Sequence, residues 1–180
     1  LGVKKILVTE CGHAYDALRW TAPNLMDVPD IEITHIAGLM GEYLDDGKIS
    51  LKEGAFDGNG KITFHDACKI QRRGGHIEEP RKLLKVLAPE SFTEMTPNKE
   101  AAICCGGGGG VIAIKEADPI RYKAFELKMK QADDIGADTV VMACSNCRLQ
   151  FLDGAEHFDW SAKIRGLSEM VAEAMQDFQE

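Results

Sequence analysis

Short apolar runs alternate along this chain with longer stretches whose apolar residues recur every three or four positions. Residues 6–9 (Ile-Leu-Val-Thr), 62–64 (Ile-Thr-Phe) and 139–142 (Thr-Val-Val-Met) are too short for helices and read as buried strands. Ile31, Ile33 and Ile36 suggest a further strand, and residues 92–95 are compatible with one. Residues 13–20, with Ala14, Ala17 and Leu18, predict a helix that ends before Pro23. Glu79-Pro80 opens another, because proline in a first turn lacks only an N–H that would have no partner there. Leu83, Leu84 and Leu87 give that helix one apolar face, and Pro89 marks its end. Asp118 and Pro119 read as N-cap and first residue of the next helix. Its apolar positions are Ile120, Ala124, Leu127 and Ile135, and Gly136 closes it. Residues 167–178 form a last amphipathic helix with Leu167, Met170, Val171 and Ala174 on one side. Residues 37–48 carry no clear pattern.

Strands alternating with helices predict an α/β fold with a mostly parallel sheet flanked by helices. Ligands of such sheets gather at the carboxyl ends of the strands. Cys11, Cys68, Cys104 and Cys144 each follow a short apolar strand, so the pattern sets the cysteines along one edge of the sheet. The glycine-rich stretch 54–60 is a loop and the natural internal boundary, dividing residues 1–58 from 59–180. Residues 6–14 echo residues 139–147, with Ala14 standing where Cys147 would fall. The echo predicts two pseudo-repeated halves, the first having lost its metal site.

Composition narrows the setting. With 180 residues, 44% of them hydrophobic, the chain can build a proper core. A net charge of −8 argues against nucleic acid or an anionic membrane surface as the main partner. No apolar run approaches the roughly 20 residues of a membrane span. The start, Leu1-Gly-Val-Lys-Lys, has neither the apolar core nor the cleavage site of a signal peptide. It also lacks an initiator Met, as expected of a domain excised from a longer chain. The six cysteines are unevenly spaced in a chain larger than most disulfide-stapled domains, so reduced thiolates in a cytoplasmic compartment are expected.

Five of these cysteines carry the chemistry: Cys68, the adjacent Cys104 and Cys105, and the Cys144-Ser-Asn-Cys147 pair. Soft thiolates select iron–sulfur clusters, zinc or cuprous ion. Zinc and an ordinary four-iron cube each take four ligands. Neighbouring side chains also diverge on an extended backbone, which suits a larger or more open cluster. Glycines 106–110 follow directly. Gly106 and Gly107 let the backbone approach closely, and their N–H groups can donate to sulfur. Cys11 reads as a structural thiol or as a redox thiol beside the centre. His13 and His65 read as proton donors to a leaving thiolate or as hydrogen-bonding supports. Lys69, Arg72, Arg73 and Arg148 add positive charge near the cysteines, either as solvated surface or facing an anionic substrate.

Phe64-His-Asp-Ala-Cys68, Glu78-Glu-Pro-Arg-Lys-Leu-Leu84, Cys104-Cys-Gly-Gly-Gly-Gly and Ala143-Cys-Ser-Asn-Cys147 together resemble the CCG cysteine-rich domain. That domain occurs in the B-type and D-type subunits of heterodisulfide reductase, in DsrK-type subunits and in iron–sulfur subunits of lactate, glycolate and glycerol-3-phosphate oxidation. The resemblance covers residues 60–150, with residues 1–58 matching as a degenerate first CCG half. It implies a noncubane [4Fe-4S] cluster held by Cys68, Cys104, Cys105, Cys144 and Cys147. It further implies reduction of a disulfide by one-electron steps in an anaerobic oxidoreductase, the disulfide being a small molecule or borne by a small thiol carrier protein. The implied partners are other iron–sulfur subunits and membrane-anchoring subunits, with the domain on the cytoplasmic face of a membrane-associated complex. Ala67 departs from the proline often found there. Two rival readings stand beside this one. In the first, the domain is an electron-transfer module of a 2-hydroxy acid or glycerol phosphate dehydrogenase complex. In the second, it is a structural zinc-binding interaction domain.

Overall fold

The structure is a computed structural model that describes residues 2–27 and 31–176. Strand β1 (Lys5–Val8) leads to helix α1 (Gly12–Asp16), a wide π turn at Ala17–Thr21 and helix α2 (Ala22–Leu25). Strand β2 (Glu32–His35) runs straight into α3 (Ile36–Asp45). Next come β3 (Ile62–His65), a π turn at Cys68–Arg72 and α4 (Glu78–Leu87). Beyond the glycine run lie α5 (Asp118–Asp134), β4 (Thr139–Met142), α6 (Ser145–Phe158), β5 (Lys163–Gly166) and α7 (Leu167–Ala174).

The fold is α/β, and among the described residues every strand pair is parallel. The strands form two sheets, β1–β2 and β3–β4–β5. In the larger sheet Ile62 pairs with Thr139 and His65 with Met142, so the chain leaves both strands on the same side. The smaller sheet reaches that edge through Glu10, whose carbonyl accepts the Ser145 N–H at 2.6 Å. One core cluster joins Ala37 and Met40 of α3 to Leu83, Leu84 and Leu87 of α4 and to Leu167 and Val171 of α7. A second lies under the cysteines, with Ile70, Phe125, Met142 and Phe151 packed around Cys105, Cys144 and Cys147.

Several sequence expectations are corrected. The helix expected to stop before Pro23 continues to Leu25. The wide turn lets the Ala22 N–H reach back to the Ala17 carbonyl, and Pro23 then sits in the first turn of α2, where its missing N–H costs little. Ile36 opens α3, and residues 37–45 belong to it. Residues 92–95 make a single bridge, Ile62 to Phe92, instead of a strand. Residues 101–103 are a tight turn and irregular chain, so Cys104 follows no strand. In α5 the N-cap position belongs to Ala117, and Asp118 instead accepts from Arg121 Nε at 2.7 Å. α7 ends at Ala174 because Met175 bridges to Leu51 and the Gln176 N–H bonds the Ser50 carbonyl. Residues 177 and 178 of the predicted helix lie outside the described residues.

The largest correction concerns the face of α5. The expected apolar positions Ile120 and Leu127 are 76% and 52% exposed, whereas Arg121, Phe125, Lys128 and Ala132 are buried. The helical spacing was legible, but its phase lies one residue away. α6 and β5 were not anticipated.

His35 links the fold to pH. Its Nδ1 accepts the Ala37 N–H at 3.2 Å and so caps α3. Burial, together with the nearby His76, presses its pKa from 6.5 down to about 4. The unfolded chain therefore takes up this proton first as the pH falls. The stabilising effect is complete above about 6.5 and is lost progressively towards about 4, by up to about 3 kcal/mol. Urea denaturation at pH 7 and pH 5 is expected to show this loss. His35→Asn, which keeps a capping side chain, is expected to flatten it. An equal slope in the variant would assign the acid sensitivity elsewhere.

Candidate metal centre

Three carboxyl-terminal turns and one glycine-rich loop build the site. Cys144 leaves β4 in extended conformation and becomes the N-cap of α6, which places Cys147 in the first turn of that helix. Cys68 opens the π turn after β3. That turn is braced by Gln71, whose Oε1 accepts the Ala67 N–H at 2.6 Å. Ala67, where proline would have no N–H, uses its N–H for this bond.

The glycine run is clamped rather than loose. Gly106 has φ of 89°, and a Cβ on it would lie 2.9 Å from Ala124 Cβ and from the Arg121 carbonyl oxygen of α5. A Cβ on Gly107 would lie 2.6 Å from Gln150 Cβ of α6. The Gly107 carbonyl accepts from Asn146 Nδ2 at 2.7 Å, and the Gly109 N–H donates to His13 Nε2 at 3.0 Å. Side chains at these positions would push the loop off both helices, and Cys104 and Cys105 would go with it.

The five expected thiols meet in one continuous run: Cys68 with Cys104, Cys104 with Cys105, Cys105 with Cys147 and Cys147 with Cys144. Cys105, Cys144 and Cys147 are buried, Cys68 is half-buried and Cys104 is exposed. Hydrogen bonding from Cys105 and Cys68 holds the Cys104 thiol well below the ordinary range, and the Gly106 N–H, 3.4 Å from its Sγ, adds to this. Cys68 is raised by its bond to Cys104. Cys105 is likewise raised, while the Gly107 N–H works in the opposite sense. Hydrogen bonding from Cys147 lowers Cys144 to about 6, helped by the N–H groups of Cys147, Gly12 and Asn146. Cys147 is raised through Cys105 and Cys144. Cys104 and Cys144 are thus favoured as thiolates while Cys68, Cys105 and Cys147 are held as thiols, because like charges this close cannot all ionise unaided. Soft cations would allow all five to ionise, and the donor set fits a thiolate-bound cluster.

The remaining sequence candidates divide. His65 is fully buried against Phe151, with ring centroids 5.0 Å apart, and neither ring nitrogen has a hydrogen-bond partner among the described residues. A nitrogen of its ring and the sulfurs of Cys105 and Cys147 lie within 4.8 Å of one another. Burial, with the Lys128 charge behind it, holds the imidazole neutral. His13 braces the glycine loop through Gly109. Cys11 caps α1, its Sγ accepting the Ala14 N–H at 3.4 Å. The expected surface cations are largely engaged by carboxylates. Lys69 and Arg73 each lie 2.9 Å from an Asp16 oxygen, and Arg148 pairs with Glu169. The sequence reading missed Asn146, Gln150, Arg121 and Lys128. Of these, only Asn146 carried a signal, its place inside the C-x2-C pair.

Comparison with known proteins points the same way. Over 176 residues the chain is 30% identical to the D-type subunit of dihydromethanophenazine:CoB–CoM heterodisulfide reductase from Methanosarcina barkeri, covering 97% of this chain and 41% of that one. It is also 30% identical over 182 residues to the EtfAB:quinone oxidoreductase of Syntrophomonas wolfei, covering 97% of this chain and 24% of that one. A Bacillus subtilis protein named as a probable iron-sulfur-binding oxidoreductase is 27% identical over 179 residues, with 96% and 24% covered. The chain thus spans less than half the length of these curated relatives. The model of the CCG cysteine-rich domain matches residues 62–152, about half of the chain and close to the 60–150 expected. With all five clustered thiols inside that match, the chain belongs to the CCG cysteine-rich domain family.

Proposed function

We propose that this domain binds a noncubane [4Fe-4S] cluster through Cys68, Cys104, Cys105, Cys144 and Cys147 and serves disulfide reduction in a heterodisulfide-reductase-like oxidoreductase. The observation that carries the reading is the unbroken run of five thiols, two of them adjacent in sequence. Four would satisfy zinc or an ordinary cube. Such a cluster supplies open iron sites at which an S–S bond is cleaved while electrons arrive singly. The chain's own residues do the rest. Buried Cys105, Cys144 and Cys147 root the centre in the core, and Cys104 faces solvent, where a disulfide approaches. The Gly106 and Gly107 N–H groups steady the sulfurs of Cys104 and Cys105. His13 accepts at Nε2, which leaves its proton on Nδ1 to hydrogen-bond and steady a departing thiolate. Cys11 caps the turn that presents His13.

The substrate in this reading is a small disulfide or the disulfide of a small thiol carrier protein. The partners are other iron–sulfur and membrane-anchoring subunits on the cytoplasmic face of a membrane-associated complex. Among the described residues, no helix is long and apolar enough to cross a membrane, so attachment falls to those partners or to segments outside this sequence. A second reading, an electron-transfer module with the same ligands and no disulfide binding, draws on the equal likeness to the EtfAB:quinone oxidoreductase.

Iron and acid-labile sulfide analysis of anaerobically purified protein, with EPR after oxidation with and without a thiol, separates the readings. About four irons and a thiol-dependent signal are expected for the disulfide-reducing centre. Four irons without a thiol response would favour the electron-transfer module. Zinc alone, in protein never exposed to air, would overturn both.

A further inference from the structure

Lys128 is fully buried on the inner face of α5. Its Nζ donates to Gln131 Oε1 at 2.8 Å and lies 3.1 Å from Met95 Sδ. Both partners are neutral, and among the described residues no carboxylate pairs with it. The other two buried cations differ: Arg81 is held by Asp66 and Glu94, and Arg121 by Asp118 and Asp153. A buried charge without a counter-charge costs several kcal/mol. Met95, which Lys128 touches, belongs to the same buried cluster as Cys105, Cys144 and Cys147, and the groups that favour the Lys128 charge are Asp66 and the sulfurs of Cys105, Cys147 and Cys104. Asp66 is already engaged, accepting from Arg81 Nη1 at 2.9 Å and Nη2 at 2.8 Å. In the metal-free chain burial presses the Lys128 ammonium down to about 8, with those groups working in the opposite sense.

We propose that Lys128 is the internal counter-charge of the cysteine centre, a positioning residue whose fixed positive charge raises the reduction potential of the cluster that the five sulfurs hold. The inference rests on the iron–sulfur reading above. Reduction adds negative charge to the centre, and a nearby cation inside the protein favours the more negative state. The charge belongs inside because the surface cations near the cysteines are largely engaged elsewhere: Asp16 holds Lys69 and Arg73, and Glu169 holds Arg148.

The test compares wild type, Lys128→Met, Lys128→Gln and Lys128→Arg in the intact polypeptide. Iron and sulfide content, the midpoint potential from an EPR-monitored redox titration, and the melting temperature of the metal-free protein are measured on each. Lys128→Met and Lys128→Gln are expected to shift the reduction equilibrium at least about tenfold towards the oxidised form, about 59 mV for one electron. Lys128→Arg is expected to restore most of the shift. Metal-free Lys128→Met is expected to melt no lower than metal-free wild type, since it removes an unpaired buried charge. Full iron content with an unchanged midpoint in Lys128→Met or Lys128→Gln would overturn the counter-charge alone. So would equal losses of melting temperature in metal-free and loaded Lys128→Met, which would mark a packing role. Absence of iron from the wild type would overturn the iron–sulfur reading and this one with it.

Discussion

Cys105→Ala is expected to abolish the thiol-dependent EPR signal while leaving the chain folded. Cys105 is 2% exposed and stands in the middle of the thiol run, between Cys104 and Cys147. Its removal divides five sulfurs into two pairs, Cys68 with Cys104 and Cys144 with Cys147. Four thiols can still hold an ordinary cube, so iron content is expected either to collapse or to persist with a conventional cubane spectrum. The fold should survive, because the substitution removes one sulfur from a site already walled by Phe125, Phe151 and Met142. Cys11→Ala is the matched control. It removes a thiol whose role in the structure is to cap α1, and it is expected to keep iron and signal at wild-type levels. A Cys105→Ala protein with wild-type iron and spectrum would rule out five-thiol ligation.

Arg81→Met is expected to destabilise the metal-free protein by about 3–5 kcal/mol, the cost of leaving a buried carboxylate without its partner. Arg81 and Asp66 are both almost fully buried, and the two Nη atoms grip both carboxylate oxygens. Arg81 Nε also donates to Glu94 at 2.6 Å, and Nη1 to the Ile77 carbonyl at 2.8 Å. Asp66 further accepts the Lys99 N–H at 2.7 Å. This one ion pair therefore ties the end of β3 to α4 and to the turn that precedes Cys104. Cys68 lies two residues after Asp66, so the same substitution is expected to lower iron retention as well. Denaturant unfolding measures the first effect, and iron content after gel filtration measures the second. Arg81→Met/Asp66→Asn is expected to recover most of the stability by neutralising the stranded acid. A loss under about 1 kcal/mol in the single variant would mean that the pair is solvated and does not organise the site.

Much of the site was legible in the sequence because the chemistry is written locally. Adjacent cysteines before a glycine run, a C-x2-C pair and a cysteine just after an apolar run each carry meaning within a few residues. The strands at residues 6–9, 62–64 and 139–142 were equally legible, since a short run of apolar, mostly branched residues has few other ways to be buried. The glycine run could be read as backbone meant for close approach. Apart from Asn146, marked by its place inside the C-x2-C pair, its clamps, Gln150 on α6 and Arg121 on α5, could not be read, because they belong to other elements of the chain. Residues 92–95 have strand-forming composition, yet only Phe92 finds a partner, in Ile62. Pairing is a property of two segments, and one segment cannot reveal it.

The sequence by itself determined the parallel α/β layout and singled out the five thiols that the fold brings together. Both follow from periodicity and from which side chains can bind soft metals. Only the tertiary structure decided which face of α5 turns inward. The apolar stripe at Ile120 and Leu127 faces out, and the stripe one residue later brings Arg121 and Lys128 inside. Those residues are buried because other parts of the fold receive them: Asp153 and Gln150 for Arg121, and Met95 for Lys128, with Gln131 of the same helix as its second partner. Hydrophobic patterning counts the apolar side chains of a helix, but it does not register a charge whose partner lies elsewhere in the fold.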